Sequence, residues 1–101
     1  MIGAAELQDM VWDACVNDLE DFEVICSEVR KWALEEKKED VPKQAIALAL
    51  AQAVDEGRVR AFRFGDGQYV RAEGLPDLKK GWFLGKREAA GPDKVGPQPR
   101  G

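Results

Sequence analysis

The chain has 101 residues, 45% of them hydrophobic and 34% charged, with a formal net charge of −4 and no histidine. That length suits one domain around one small core, and the apolar content is above that of disordered chains. Without histidine there is no imidazole acid–base pair, no His metal ligand and no Ser–His or Cys–His nucleophile. No apolar run approaches the roughly 18 residues of a membrane span. No apolar stretch precedes Glu6, so no signal peptide is expected and the expected location is cytoplasmic.

Charge is distributed unevenly: residues 1–57 sum to −9 and residues 58–101 to +5. Such a moment can steer a polyanion to the basic half or align two copies head to tail; the plainer reading is uneven solvated surface. Cys15 and Cys26 fit no zinc or redox spacing and fall on apolar helix faces, so they are expected as buried, reduced thiols.

In chain order, residues 4–17 predict a helix whose Leu7, Met10, Val11, Ala14 and Cys15 fall within about 140° of arc. Trp12 and Val16 lie off that stripe and need a second cover, the chain's own tail or another protein. Asp18 to Asp21 form an acidic link in which Asp18 or Asp21 can cap the next helix. Residues 22–36 predict that helix, with Phe22, Ile25, Cys26, Val29, Trp32 and Ala33 on its buried arc. Residues 35–40 are all charged, which reads as a solvent loop or a frayed turn. Pro42 suits the first turn of a third, Ala-rich helix over residues 42–56, and Gly57 ends it. Its buried face is Ile46, Ala49, Leu50, Ala53 and Val54.

After Gly57 the period changes from 3.6 to 2. Residues 58–64 and 68–72 flank Asp66-Gly67, a strong hairpin turn signal. This register sets Phe64 opposite Tyr69 and Arg63 opposite Val70. One face then carries Val59, Ala61, Val70 and Ala72; the other carries Phe62, Phe64 and Tyr69 with Arg60 and Arg71. Trp82-Phe83-Leu84 is an apolar island that must dock, and residues 91–101 read as a flexible Gly/Pro tail.

This order resembles the winged-helix variant of helix-turn-helix. The resemblance is carried by residues 46–62, with small and apolar positions, Asp55-Glu56-Gly57 and an apolar strand start, and by the hairpin Arg63-Phe64-Gly65-Asp66-Gly67-Gln68-Tyr69-Val70. Trp82-Phe83-Leu84-Gly85-Lys86-Arg87 resembles the segment after the wing in MarR- and PadR-like bacterial regulators, without their usual Thr. The expected fold is therefore α+β: a three-helix winged helix-turn-helix with a two-stranded hairpin wing and a short docked C-terminal segment, spanning residues 1–90. The resemblance implies a transcription regulator, with the third helix in the DNA major groove and the wing on the backbone.

On that alternative, Lys43 and Gln44 begin the groove contact and Arg58, Arg60, Arg63 and Arg71 hold phosphates. The third helix is poorly suited to reading bases, because its outer side carries Gln44, Ala47, Leu48, Ala51 and Asp55. Each good bidentate base contact is worth roughly 1–3 kcal/mol, and Gln44 alone can make one. An apolar face suits a protein surface better. The preferred expectation is a non-catalytic module that binds a protein partner or a second copy through Ala47, Leu48 and Ala51, with Trp12 and Val16 as a second patch. The aromatic face of the hairpin is read first as a landing site for the Trp82 island and second as a nucleic-acid stacking surface. No cofactor, metal or catalytic residue is expected: the carboxylates sit on charged faces, and Gly65-Asp66-Gly67 is a turn, not a phosphate loop.

Overall fold

The computed structural model describes residues 2–87. The tail expected over residues 91–101 lies outside the described residues, as do residues 88–90. The described chain is an α+β fold, with helices α1 (Ala4–Cys15), α2 (Phe22–Lys37) and α3 (Lys43–Asp55) and strands β1 (Glu20–Asp21), β2 (Val59–Gly65), β3 (Gln68–Arg71) and β4 (Gly81–Gly85). The strands form one antiparallel four-stranded sheet in the order β1-β4-β2-β3.

Local chemistry sets the boundaries. Asp21 caps α2 by accepting from the Val24 N–H at 3.0 Å. Lys38, at φ 55°, closes α2 in the left-handed region, and Glu39 N–H donates to Ala33 O. Pro42 sits one position earlier than expected, as the N-cap of α3, and its carbonyl accepts from Ala45 and Ile46. Gly57, at φ 80°, ends α3. Asp66 and Gly67, at φ 53° and 77°, form the tight turn between β2 and β3, with Phe64 opposite Tyr69 and Arg63 opposite Val70.

The sheet corrects two expectations. The acidic link contributes a strand, β1, which pairs with β4. The Trp82 island is strand β4 itself, inserted between β1 and β2, so the hairpin is the outer half of a four-stranded sheet and not an isolated two-stranded wing. Alternation along β4 sends Phe83 fully into the core and leaves Trp82 and Leu84 half-buried on the opposite face.

The core lies between the helices and the inner face of the sheet. Val11, Cys15, Ile25, Val29, Ile46, Leu50 and Ala53 meet Val59, Ala61 and Phe83 there. Helix α1 packs on α2, α3 and β4, while α3 packs on β2. Met10, Trp32 and Val54, expected inside, are half-buried, whereas Gln8 is buried because its Oε1 accepts from Arg58 Nη1 at 3.0 Å. Among the described residues, no helix is long and apolar enough to cross a membrane.

Candidate functional site

Two surfaces gather the residues singled out in the sequence. The first is the outer face of α3. Leu48 is 61% exposed, the highest value among the large hydrophobic side chains of the described chain. Ala47 and Ala51 beside it are half-buried, and Gln44 and Gln52 are exposed. Residues 44–54 carry no charge, so this stripe is neutral from end to end. Ala51 continues into a cleft of about 400 Å³ between α3 and the base of the hairpin, whose other lining includes Val54, Ala61, Ala72 and Leu75, with Arg60, Arg71 and Asp55.

Trp12 and Val16, expected as a second patch, lie at the C-terminal end of α1. In place of the tail or another protein expected as their cover, the end of β4 lies against them: Trp12 Nε1–H donates to Lys86 O at 2.8 Å, and Gly85 lies so close that an added Cβ would stand 2.9 Å from Val16 Cα. Both side chains are half-buried against their own chain.

The cations expected to hold DNA are divided by the fold. Lys43 Nζ pairs with Glu23 at 2.8 Å, which raises the lysine pKa. Arg58 pairs with Asp9 at 2.9 Å and also donates to Gln8. Both are thereby held by acidic or polar groups of α1 and α2. Arg63 lies on the same face as Val70, in a cleft with Lys80 and Asp66, away from Arg60 and Arg71. Gln44 is exposed, next to the ion-paired Lys43.

The second surface is the outer face of the sheet. No helix covers it, because all three pack on the inner face or on one another. Register places Phe62 beside both Arg71 and Trp82, Phe64 beside Tyr69, and Arg60 beside Leu84. Phe64 and Tyr69 meet edge to face with centroids 4.9 Å apart, and Tyr69 meets Trp82 likewise at 5.5 Å. Trp82 therefore meets the aromatic face from within the sheet, while Phe83 of the same island turns to the core, and Phe64 stays 55% and Tyr69 46% exposed. Arg60 and Arg71 make no ion pair among the described residues. The basic cleft at the far end of this face was missed in the sequence. It is lined by Arg60, Lys86 and Arg87 with Val16, Asn17, Leu84 and Gly85, and Arg87 Nη2 donates to Asn17 Oδ1 at 2.6 Å. The alternation 82, 84 along β4, continued one step past its end to 86, was the signal that could have placed Lys86 there.

The remaining reactive groups are inward or dispersed. Burial pushes the Cys15 thiol up to about 12 and the Cys26 thiol to about 11. Partial burial first, then Asp18, Asp21 and Glu28, raise the pKa of Glu20. Among the described residues, no three Cys, Asp or Glu side chains gather as a metal site would require. Comparison of the chain with protein-family models, curated proteins and solved structures finds no match.

Proposed function

We propose that this chain is a non-catalytic interaction module on a winged-helix scaffold, and that the outer face of α3 is its protein contact, made with the same face of a second copy. The observation that carries this reading is Leu48, exposed at the middle of an uncharged helical stripe. A symmetric contact places a surface against itself, so charged faces repel and neutral ones do not. Helices α1 and α2 carry many exposed acids, whereas residues 44–54 carry none.

The ends of α3 are complementary as well. An antiparallel pairing centred near residue 49 sets Lys43 of each copy near Asp55 and Glu56 of the other, a contact for which Lys43 must exchange its own Glu23. Ala47 and Ala51 flank Leu48 with short side chains, so the helix axes can approach to about 8 Å. The duplex-DNA alternative has less support, since Lys43 and Arg58 are engaged within the chain and phosphate affinity depends on available cations.

Sedimentation equilibrium tests the proposal. The expected result is a reversible dimer at tens of micromolar that Leu48→Glu converts to monomer without loss of helical signal. Monomeric wild type at millimolar concentration overturns it, as does a dimer indifferent to Leu48→Glu.

A further inference from the structure

The outer face of the sheet is distinct from the α3 contact and has its own chemistry. Its four aromatic rings, Phe62, Phe64, Tyr69 and Trp82, lie on three adjacent strands. Each edge-to-face contact uses the face of one ring and the edge of the other, so the chain of three rings leaves ring surface open, consistent with the exposure of Phe64 and Tyr69. A purely structural aromatic cluster would be roofed by a helix or loop; here the helices lie on the other side.

Cations border the rings. Arg71 is register-paired with Phe62, and Arg60 lies two residues farther along β2. Beyond Arg60 the cleft of about 440 Å³ adds Lys86 and Arg87, with no carboxylate in its lining. Three acids lie near: Asp21, opposite Trp82, caps α2 through Val24 N–H, Asp66 sits at the turn, and Asp55 shares the cleft beside α3 with Arg60 and Arg71 but forms no ion pair with either. From Phe64 to Arg60 the strand runs about 13 Å, room for two or three stacked bases on a four-stranded sheet.

We propose that this face binds single-stranded nucleic acid, with bases stacked on Phe64, Tyr69 and Trp82 and backbone phosphates held by Arg71, Arg60, Lys86 and Arg87. Rings without cations would suit an apolar protein surface, and cations without rings would suit any polyanion. The two together, on a face with no ion-paired arginine, match a ligand that carries both π-faces and regularly spaced negative charge. Duplex DNA does not fit, because its bases are already stacked and a flat sheet face cannot enter a groove.

The test is fluorescence anisotropy of labelled (dT)12, (U)12 and a random duplex with the full chain, titrated from 50 to 200 mM salt. Both single strands are expected to bind more tightly than the duplex, with quenching of tryptophan emission. Four phosphate contacts predict a log–log salt slope of about −2 to −3. The ratio of (U)12 to (dT)12 affinity assigns RNA or DNA as the source. Tyr69→Ala and Phe64→Ala, both at exposed positions, are expected to weaken binding about tenfold each, and Tyr69→Phe to restore it. Arg60→Glu with Lys86→Glu should flatten the slope by half or more.

No binding at 50 mM salt overturns the proposal. Equal affinity for duplex, or indifference to Tyr69→Ala and Phe64→Ala together, overturns it as well. Displacement of (U)12 by polyglutamate at equal charge concentration would also overturn it, assigning the cations to an acidic protein. Leu48→Glu leaves (U)12 binding unchanged, so failure here and failure of the α3 dimer are separately visible.

Discussion

Cys15 and Cys26 show how one buried atom couples to the whole fold. The Cys15 side chain is fully buried, and its thiol donates to Val11 O at 3.4 Å. Unfolded, such a thiol titrates near 9.0; folded, Cys15 holds its proton to about 12 and Cys26 to about 11. Desolvation of the thiolate is the main cause for both. The folded state thus keeps protons that the unfolded chain releases. Its stability is complete below pH 9 and declines as pH rises toward 12, by at most about 1.4 kcal/mol per pH unit for each thiol. Urea midpoints at pH 8, 9, 10 and 11 should therefore fall progressively, and the fall should be shallower in Cys15→Ala. Below pH 9 the native protein should react with a thiol reagent only as fast as it unfolds. Glu20 has the same sign at lower pH. Its raised pKa means that the ionised form burdens the native state above the carboxylate range, so Glu20→Gln should raise the melting temperature slightly at pH 7, checked by thermal denaturation.

At the scale of elements, Gly85 is where β4 passes close against the end of α1. A Cβ there would lie 2.9 Å from Val16 Cα and 3.1 Å from Trp12 O, both parts of the α1 end that cannot swing aside. Gly85→Ala is expected to cost about 1–3 kcal/mol, a melting-temperature drop of several degrees, whereas Gly65→Ala, with open space around it, should be near neutral. Calorimetry of the two variants checks this. The close approach was invisible in sequence because a glycine after an apolar island reads equally as a loop. What was legible were features with local causes: the three helices from their period, the turn from Asp66-Gly67, the outward Leu48 from the position of Ile46 and Leu50. What was not legible depended on partners distant in the chain. Strand β1 has two residues and exists only because β4 arrives beside it. The burial of Gln8 and the pairing of Arg58 need α1 and the start of β2 to meet. The split of the arginines between two faces was readable from alternation, but which of them retained free charge was not.

At the scale of the whole molecule, the acidic residues concentrate on the helices and the unpaired arginines on the sheet, so the two proposed contacts make different demands on solvent. The α3 contact is neutral at its centre and should vary little with salt, while the sheet contact should weaken steeply as counterions compete for phosphate. A dimer joined through α3 carries two outer sheet faces on one particle. A strand long enough to reach both is held twice, and its second attachment is intramolecular, which can raise apparent affinity by about 10²- to 10⁴-fold. A 12-mer, with little strand left over after filling one face, is expected to be held once. Anisotropy titrations with (U)12 and (U)40 should therefore separate in wild type well beyond the statistical gain in sites, and should converge in Leu48→Glu, whose sheet is intact but single. Convergence in the wild type, at concentrations where sedimentation shows dimer, would mean that the two sheets face directions no strand of that length can join.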